Sequence, residues 1–414
     1  MGTRVVITGL GVISSVGNNV KDFWNSIKNG KSGIANITKF DCTEFKVKIA
    51  GEIKDFQPEE YLDKKWIKRS EPYIQYAAIA AKEAVAMSGL DLAKVDPHKF
   101  GVLVGSGIGG IRIIEEQVKL LNERGPSRVS PFLITKMITD IVPGKLAILF
   151  NAQGPNFSIS TACATGTHSI GEAFKIIQRG QADLMLCGGT EASIGPLAFA
   201  GFAAIKAIAA NYNDDPEKAS RPFDVDRSGF VIAEGSGILL IESLDHAKAR
   251  GAEILCELVG YGDTADAFHE TAPHPEGIGA YRSILESMED AQINNEDITY
   301  INAHGTSTKL NDIMETKAIK RMFGDYAYKI PISSTKSMHG HALGATGAIE
   351  SIICVKSILD DIVPPTINLE NPDPECDLDY IPHEARELKN NAVLSNSFGF
   401  GGHNATLIFK KFNG

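Results

Sequence analysis

Short runs of β-branched residues alternate with alanine-rich, amphipathic segments along the whole of this 414-residue chain. Such runs predict buried strands, whereas the longer amphipathic segments predict helices that pack on them. The predicted strands cover residues 4–8, 100–104, 156–160, 184–187, 237–242, 254–260, 300–303, 330–333 and 394–397. The predicted helices cover residues 72–88, 111–123, 167–178, 277–291 and 345–359. Strands and helices in alternation predict an α/β fold.

Two segments of like construction suggest that the chain is duplicated. Residues 158–174, SISTACATGTHSIGEAF, pass from a strand through a turn of small residues into a helix, and residues 332–350, ISSTKSMHGHALGATGAIE, do the same. Two such halves would bring these turns together at a shared seam. The chain is also longer than one ordinary core requires. We therefore predict an N-terminal half over residues 1–250 and a C-terminal half over 251–414. Residues 206–228 are polar and turn-rich, which predicts a surface excursion.

Composition argues against several classes of protein. A formal net charge of −10 disfavours a general nucleic-acid coat, because phosphate binding requires a basic surface. No apolar run reaches about 18 residues, so we expect no membrane span, and the first residues lack the features of a signal peptide. The six cysteines form no CxxC pair and no zinc-finger spacing with histidine. We therefore expect reduced thiols in a cytoplasmic protein without a metal site.

Cys163 is the first candidate for chemistry. It lies in TACATG (161–166), between a predicted strand and a predicted helix. Free N–H groups at a helix N-terminus favour an anion, which would lower the pKa of the thiol and make a thiolate available. The same N–H groups could hold an oxyanion when an acyl group is attacked. The alternative is a small buried cysteine that packs the start of a helix, and position alone favours neither.

Two histidines are placed at similar points in the second half. His304 follows a predicted strand in NAHGTST (302–308), and His341 lies in STKSMHGH (334–341), where a strand gives way to a helix. One cysteine and two histidines at the ends of strands suit nucleophilic acyl transfer. Lys336 is a further ionisable group, and Glu350 on the next helix is its expected partner, in either a functional or a purely structural ion pair. His339 and His341 form only a weak candidate for a metal pair.

Two glycine-rich segments are further candidates for binding sites. Phe398 and Phe400 lie in NSFGFGG (396–402), where two aromatic rings on mobile backbone could bind substrate and gate an apolar tunnel. The alternative is a tight turn with core aromatics. Residues 105–110, GSGIGG, fit the G-x-G-x-x-G pattern, but the stretch about 20 residues on is a turn rather than an acidic strand end. A dinucleotide site there is therefore not expected.

Taken in order, these motifs resemble those of the β-ketoacyl-[acyl-carrier-protein] synthases, most closely the type II elongating branch. The resemblance runs over nearly the whole chain. It begins at VVITGLGVISSVG (5–17) and includes TACATG, RPFDVDRSGFV (221–231), NAHGTST, STKSMHGH and NSFGFGG. It implies a thiolase-type fold, in which two related α/β halves form a five-layer αβαβα sandwich, and a homodimer.

The resemblance also implies roles for individual residues. Cys163 matches the family's nucleophile, and His304 and His341 match its catalytic histidines. Lys336 matches the active-site lysine, with Glu350 as its ion-pair partner.

Further matches concern the substrate. Phe400 matches a gating residue whose backbone N–H joins that of Cys163 in an oxyanion hole. Thr306 and Thr308 match residues that touch a phosphopantetheine arm. Ile108 and Phe202 match residues of the acyl pocket, with Ile108 on its dimer-side wall.

The implied reaction has two steps. Cys163 takes an acyl chain from acyl-carrier protein (ACP), and malonyl-ACP then loses CO₂ and its carbanion attacks the acyl-enzyme. The resemblance implies no metal and no organic cofactor. Because ACP is acidic, its enzyme needs a local basic surface, and we expect Lys65, Lys68, Arg69 and Lys206 to provide it; the alternative is a solvated helix face.

Several related classes of protein are alternatives to this assignment. A thiolase or an initiating synthase has a different catalytic set, against which His341 argues. A polyketide ketosynthase is nearer, although those enzymes usually belong to larger chains or paired subunits. A type I elongating synthase is nearer still, and Ile108 favours type II. A non-catalytic partner subunit would lack Cys163. The chain departs from the family's usual pattern at His339, at residues 309–311 (KLN) and at Ala233.

Overall fold

A computed structural model describes residues 2–414. Its strands are β1 (Val5–Ser14), β2 (Ala35–Asn36), β3 (Ile49–Ala50), β4 (Phe100–Gly105), β5 (Asn156–Phe157), β6 (Leu184–Glu191), β7 (Gly235–Ser243), β8 (Cys256–Ala265), β9 (Ile298–Asn302), β10 (Ile332–Ser333), β11 (Ile362–Val363), β12 (Arg386–Glu387), β13 (Ala392–Gly399) and β14 (His403–Lys410). Its α-helices are α1 (Val20–Lys28), α2 (Lys64–Lys68), α3 (Pro72–Met87), α4 (Ile111–Arg124), α5 (Leu133–Met137), α6 (Ile141–Phe150), α7 (Thr165–Gln178), α8 (Pro196–Ala204), α9 (Leu244–Ala249), α10 (Ile278–Ala291), α11 (Lys309–Phe323), α12 (Lys336–His339) and α13 (Thr346–Asp360).

The central ten-stranded sheet repeats one five-strand pattern twice. Its order is β10-β9-β13-β14-β8-β1-β7-β6-β4-β5. In the first half β1 pairs antiparallel with β7 and β7 with β6, while β6 and β5 flank β4 in parallel. The second half repeats these directions with β8, β14, β13, β9 and β10. The two halves meet where β1 pairs with β8. The sheet therefore carries the duplication that the sequence suggests.

Helices cover both faces of each half. α3 packs on β1, β6 and β7, and α10 packs on β8 and β14. Between the halves, α7 and α13 contact each other and strands of both. The result is five layers: helix, strands, paired helices, strands, helix. The predicted α/β, thiolase-like sandwich is therefore confirmed, with the added feature that hydrogen bonds join its two strand layers into one mixed sheet.

The two central helices approach very closely near their first turns. A Cβ atom on Gly166 would lie 2.8 Å from the backbone nitrogen of Ala348, and one on Gly347 would collide with the Thr167 hydroxyl. Only glycine tolerates backbone contact of this kind. The two small-residue turns that precede α7 and α13 are thereby brought side by side at the seam between the halves.

Two features differ from the sequence-based expectations. The strand β14 was not among the predicted strands, although it pairs with β13 along its full length. Residues 206–228 were expected to form a surface excursion, which is wrong for their second part, because Arg221, Asp224 and Arg227 are buried. Within residues 2–414, no helix is long and apolar enough to cross a membrane. The division of the chain near residue 250 stays a prediction.

Candidate active site

The turn that carries Cys163 links β5 to α7. Residues Ala162–Ala164 form a single 3₁₀ turn, and Thr165 begins the helix. Ala162 adopts a left-handed φ of 49°, and Leu343, at the equivalent point before α13, has a φ of 46°. The Thr165 hydroxyl accepts a hydrogen bond from the Thr161 N–H at 2.8 Å, which closes the turn. Both halves therefore use the same strained turn, and the first half places a cysteine in it.

His341 is the nearest ionisable partner of that thiol. Its Nε2 lies 3.0 Å from Cys163 Sγ, and its Nδ1 lies 3.0 Å from the Thr346 hydroxyl. If Thr346 donates to Nδ1, the imidazole proton lies on Nε2, facing the sulfur. Phe230 packs edge-on against the ring, with 5.1 Å between the centroids. The imidazole is thereby fixed from three sides.

His304 lies beside His341 at the end of β9. The ring centroids are 5.6 Å apart, and Phe398 packs against the other side of His304 at the same distance. The buried Glu315 carboxylate accepts hydrogen bonds from the backbone N–H groups of His304 (2.8 Å) and Gly305 (2.7 Å). The His304 Nδ1 atom is buried and has no hydrogen-bond partner in the described part of the chain. The backbone is therefore anchored, while the ring has donor and acceptor capacity to spare.

Lys336 supplies a buried positive charge to the site. Its Nζ lies 2.6 Å from Glu350 Oε1, and both side chains are almost fully inaccessible to solvent. Burial and the Lys336 charge both lower the pKa values of His304 and His341 well below the usual range. Both imidazoles are therefore neutral at physiological pH, and a neutral ring carries one N–H that can donate to a developing negative charge.

The pKa of Cys163 moves in the opposite direction from the sequence-based expectation. Burial raises it to about 12, although the Lys336 charge and the backbone N–H of Phe400 act to lower it. Loss of hydration outweighs the helix N-terminus because the residue is only 8% exposed. The resting residue is thus a thiol held against a neutral imidazole rather than a free thiolate.

A cavity of about 410 Å³ opens onto the sulfur. The expected site residues that line it are Cys163, His304, His341, Thr306, Thr308, Phe398, Phe400 and Lys206. The hydroxyls of Thr306 and Thr308 lie 2.9 Å apart. Ile108 and Phe202 do not line this cavity; they pack in the apolar cluster that also contains Cys163. The sulfur therefore lies between a cavity with a polar wall and an apolar cluster.

The proposed basic surface is divided. Lys65 and Lys68 are exposed on α2, and Arg69, which follows it, is exposed and lies over the ring of Phe132. None of these three residues lines the cavity, whereas Lys206 does. Of the four basic residues, only Lys206 therefore lies at the cavity that opens onto Cys163.

The structure supports neither a dinucleotide site at the GSGIGG loop nor a metal pair at His339 and His341. The donors of the GSGIGG loop are occupied internally, because Ser106 and Gly107 donate to the carboxylate of Glu191 at 2.8 and 2.9 Å. His339 Nε2 lies 3.1 Å from the Thr335 hydroxyl rather than beside a second ligand. No cluster of three or more metal-ligating side chains occurs among residues 2–414.

Two further groups at the site were missed from the sequence. Arg227, fully buried on the cavity wall, lies 2.8 Å from Asp373 and 3.4 Å from Asp312. It also donates to the backbone carbonyl of Thr308 at 3.2 Å, which fixes that segment. Glu315 anchors His304 in a similar way. The alternating charges of RPFDVDR are a signal that could have identified Arg227, but this segment belongs to residues 206–228, which were predicted to lie on the surface because they are polar and turn-rich.

Comparison with known proteins agrees with this geometry. Residues 2–247 match the beta-ketoacyl synthase N-terminal domain, and residues 255–370 match the corresponding C-terminal domain. The chain belongs to the beta-ketoacyl synthase family. It is 51% identical over 409 residues to 3-oxoacyl-[acyl-carrier-protein] synthase 2 of Synechocystis sp., covering 99% of this chain and 98% of that relative. It is 53% identical over 409 residues to the enzyme of the same name from Staphylococcus aureus, with the same coverage.

Solved structures of ketosynthases superpose closely. A beta-ketoacyl synthase from Burkholderia phymatum matches with a TM-score of 0.92 at 33% identity, over 99% of this chain and all of that one. A type II polyketide ketosynthase solved in complex with its acyl-carrier protein matches with a TM-score of 0.93 at 37% identity, over the full length of both chains. The resemblance stated from the motifs is therefore confirmed.

Proposed function

We propose that this chain is a 3-oxoacyl-[acyl-carrier-protein] synthase of the type II elongating branch, an acyltransferase of fatty-acid synthesis. It joins an acyl chain held on Cys163 to the two-carbon unit of malonyl-ACP, with loss of CO₂. The observation that carries the proposal is the 3.0 Å separation of Cys163 Sγ and His341 Nε2, with neutral His304 alongside. Relatives named as this enzyme, at 51% and 53% identity over the full length, support the same activity.

The first step loads the thiol. The Cys163 thiol loses its proton as the sulfur attacks the acyl-ACP thioester carbonyl, and the Nε2–H of His341 stabilises the charge that develops on the sulfur. The tetrahedral oxyanion is held by the backbone N–H groups of Cys163 and Phe400. Collapse breaks the carbon–sulfur bond to the carrier, and the proton leaves with the carrier thiol. The products are an acyl-Cys163 thioester and free ACP.

The second step forms the carbon–carbon bond. Malonyl-ACP places its thioester carbonyl against His304 and His341, whose N–H groups stabilise the enolate as the carbon–carboxylate bond breaks and CO₂ leaves. The enolate carbon attacks the acyl-Cys163 carbonyl. The Cys163 sulfur then departs as a thiolate and takes a proton from solvent water, and a 3-oxoacyl-ACP is released.

Burial and the charge of Lys336 together keep both imidazoles neutral, and Glu350 holds the lysine in place. This support for the reaction is electrostatic and requires no proton transfer by the lysine.

The substrate enters and is held by two separate surfaces. Thr306 and Thr308 on the cavity wall offer hydroxyls to the amides of the phosphopantetheine arm. Ile108 and Phe202, in the apolar cluster around Cys163, accept the acyl chain. Phe398 and Phe400 line the cavity beside the catalytic set, and Phe400 gates the passage of the arm.

ACP is the proposed protein partner. Its acidic surface is met by Lys65, Lys68, Arg69 and Lys206, of which Lys206 lies at the cavity. The solved relative in complex with an acyl-carrier protein supports a partner of this kind.

The chain is further proposed to form a homodimer through the edge of the sheet at β5. An unpaired strand edge invites pairing with another chain. β5 is the terminal strand of the sheet order, and apolar side chains around it are exposed: Phe157 is 42% exposed and Ile148, on the preceding helix α6, is 84% exposed. A second copy of the same surface would cover them.

The chain is further proposed to work in the cytoplasm. All six cysteines are free thiols, which supports a reducing environment.

The proposal is tested by incubating the purified protein with acyl-ACP and malonyl-ACP and following the products by mass spectrometry. We expect one round of elongation to a 3-oxoacyl-ACP, with release of CO₂. Products of several successive condensations without intervening reduction would instead indicate a polyketide ketosynthase. Absence of any condensation would overturn the proposed function.

A further inference from the structure

A buried carboxylate lies where three segments of the active site meet. Glu191 ends β6 and is fully buried. Within residues 2–414, it has no cation among its hydrogen-bond partners. Its Oε1 accepts hydrogen bonds from the Ser106 hydroxyl at 2.8 Å and the Ile108 N–H at 3.4 Å, and its Oε2 accepts from the N–H groups of Gly107 at 2.9 Å and Gly344 at 3.1 Å. Four donors from two separate loops therefore converge on a single side chain.

The surrounding glycines make this a closely fitted site. A Cβ atom on Gly107 or on Gly344 would lie 2.9 Å from Glu191 Oε2. Neither loop could carry a larger side chain without displacing the carboxylate. Since burying a charged group is unfavourable unless its hydrogen bonds are satisfied, the two loops can move apart only by leaving that carboxylate unsatisfied.

Both loops carry residues of the catalytic site. One holds Ile108 in the apolar cluster with Cys163. The other, at Gly344, follows His341 by three residues and precedes α13. The Gly107 carbonyl also accepts a hydrogen bond from the Ser160 hydroxyl at 3.2 Å, three residues before Cys163. The carboxylate therefore links the acyl-pocket wall to both halves of the catalytic pair.

We propose that Glu191 is a positioning residue that fixes Ile108 relative to Cys163 and thereby sets how strictly the enzyme discriminates acyl-chain length. This inference rests on the proposed function, because it assigns Ile108 to the acyl pocket. With the carboxylate in place, the wall is rigid and chains that do not fit are rejected. Without it, the loop that carries Ile108 can move, and kcat/KM depends less strongly on acyl-chain length.

The test compares Glu191→Gln with the unaltered protein, using saturated acyl-ACPs from butyryl to palmitoyl at fixed malonyl-ACP. A glutamine keeps the shape but presents an amide N–H₂ to groups that themselves donate. We expect the ratio of kcat/KM between the best and the worst chain to fall about tenfold, the size of effect that one methylene has in an apolar pocket. Acylation of Cys163 by the best chain is retained.

The matched control is Glu242→Gln, which alters a buried carboxylate in the same half of the sheet that pairs with Arg250 and His246. It should lower the melting temperature and leave the chain-length ratio unchanged. If Glu191→Gln does not fold, Ser106→Ala removes one donor to the carboxylate. It should also lower the ratio of kcat/KM between the best and the worst chain. A double-mutant cycle with Ile108→Ala should show non-additive effects on that ratio.

A uniform fall in kcat/KM at all chain lengths, or additivity with Ile108→Ala, would overturn the inference. So would an unaltered profile in a folded Ser106→Ala protein. These results would leave the proposed function intact as long as the unaltered enzyme condenses. Failure of the unaltered enzyme would instead overturn the proposed function itself.

Discussion

Cys163 Sγ lies 3.0 Å from His341 Nε2, although 178 residues separate the two in the chain. Each residue belongs to the turn before one of the two central helices, and these helices cross at Gly166 and Gly347. The duplication of the fold therefore creates the proposed active site, because it brings two equivalent turns to one seam. The first turn supplies the proposed nucleophile, and the second supplies the imidazole beside it.

The two histidines should act after acylation. We expect His304→Ala and His341→Ala to accept an acyl group on Cys163 but to lose malonyl-ACP decarboxylation by about a hundredfold or more, the usual effect of removing one oxyanion donor. Intact-protein mass spectrometry measures the first property and CO₂ release the second. His98→Ala, at an exposed histidine, is the control. Loss of acylation in both variants would contradict this division of roles.

The buried ion pair should be important for stability. Removing Glu350 leaves the Lys336 ammonium buried without a partner, so we expect Glu350→Ala to lower the free energy of unfolding by about 3 kcal/mol or more. Glu286→Ala, which removes the exposed pair with Arg282, should lower it by less than about 1 kcal/mol. Urea unfolding of the three proteins gives both values. Equal effects of the two substitutions would argue against a buried charge at Lys336.

Acid should destabilise the protein through its buried histidines. Burial lowers the pKa of His339 to about 3, so between about pH 6.5 and that value the unfolded chain binds a proton that the folded chain excludes. Stability therefore falls as pH falls through this window, by up to about 1.4 kcal/mol per pH unit for each such histidine. We expect His339→Thr to reduce the difference between unfolding free energies at about pH 7.5 and about pH 5.5. An unchanged difference would mean that His339 binds a proton as readily in the folded protein as in the unfolded chain.

The basic cluster should act through charge. We expect Lys65→Glu and Arg69→Glu to raise the apparent KM for ACP substrates about tenfold at low ionic strength, with an effect that fades as salt is added. The exposed Lys94 lies outside the cluster, and Lys94→Glu serves as the control. If both reversals leave KM unchanged, the cluster is a solvated surface and carrier binding depends on other residues.

Much of the site could be predicted from the sequence because its chemistry lies at strand ends. The strand–turn–helix pattern located Cys163, and the same pattern in the second half located His341. The Lys336–Glu350 pair followed from adjacent motifs, and the structure places those two side chains 2.6 Å apart. In each case the signal was local, since glycine and small residues mark the turns.

The features that could not be predicted from the sequence depend on partners that are distant along the chain. β14 was missed because its polar residues are buried and satisfied, as in the bonds of Asn404 to Asp266 and of Thr406 to Asn396. Arg227 was taken for a surface residue because Asp312 and Asp373, which neutralise it, lie far along the chain. The direction of the Cys163 pKa shift was wrong for the same reason: its burial is a property of the assembled core.

The central claim is that Cys163 carries the acyl chain during condensation. The direct measurement is intact-protein mass spectrometry of the unaltered protein and of Cys163→Ala after incubation with acyl-ACP, followed by malonyl-ACP. We predict that the unaltered protein gains the mass of one acyl group, loses it when malonyl-ACP is added, and yields 3-oxoacyl-ACP, whereas Cys163→Ala does none of these. Elongated product from a folded Cys163→Ala protein would contradict the account.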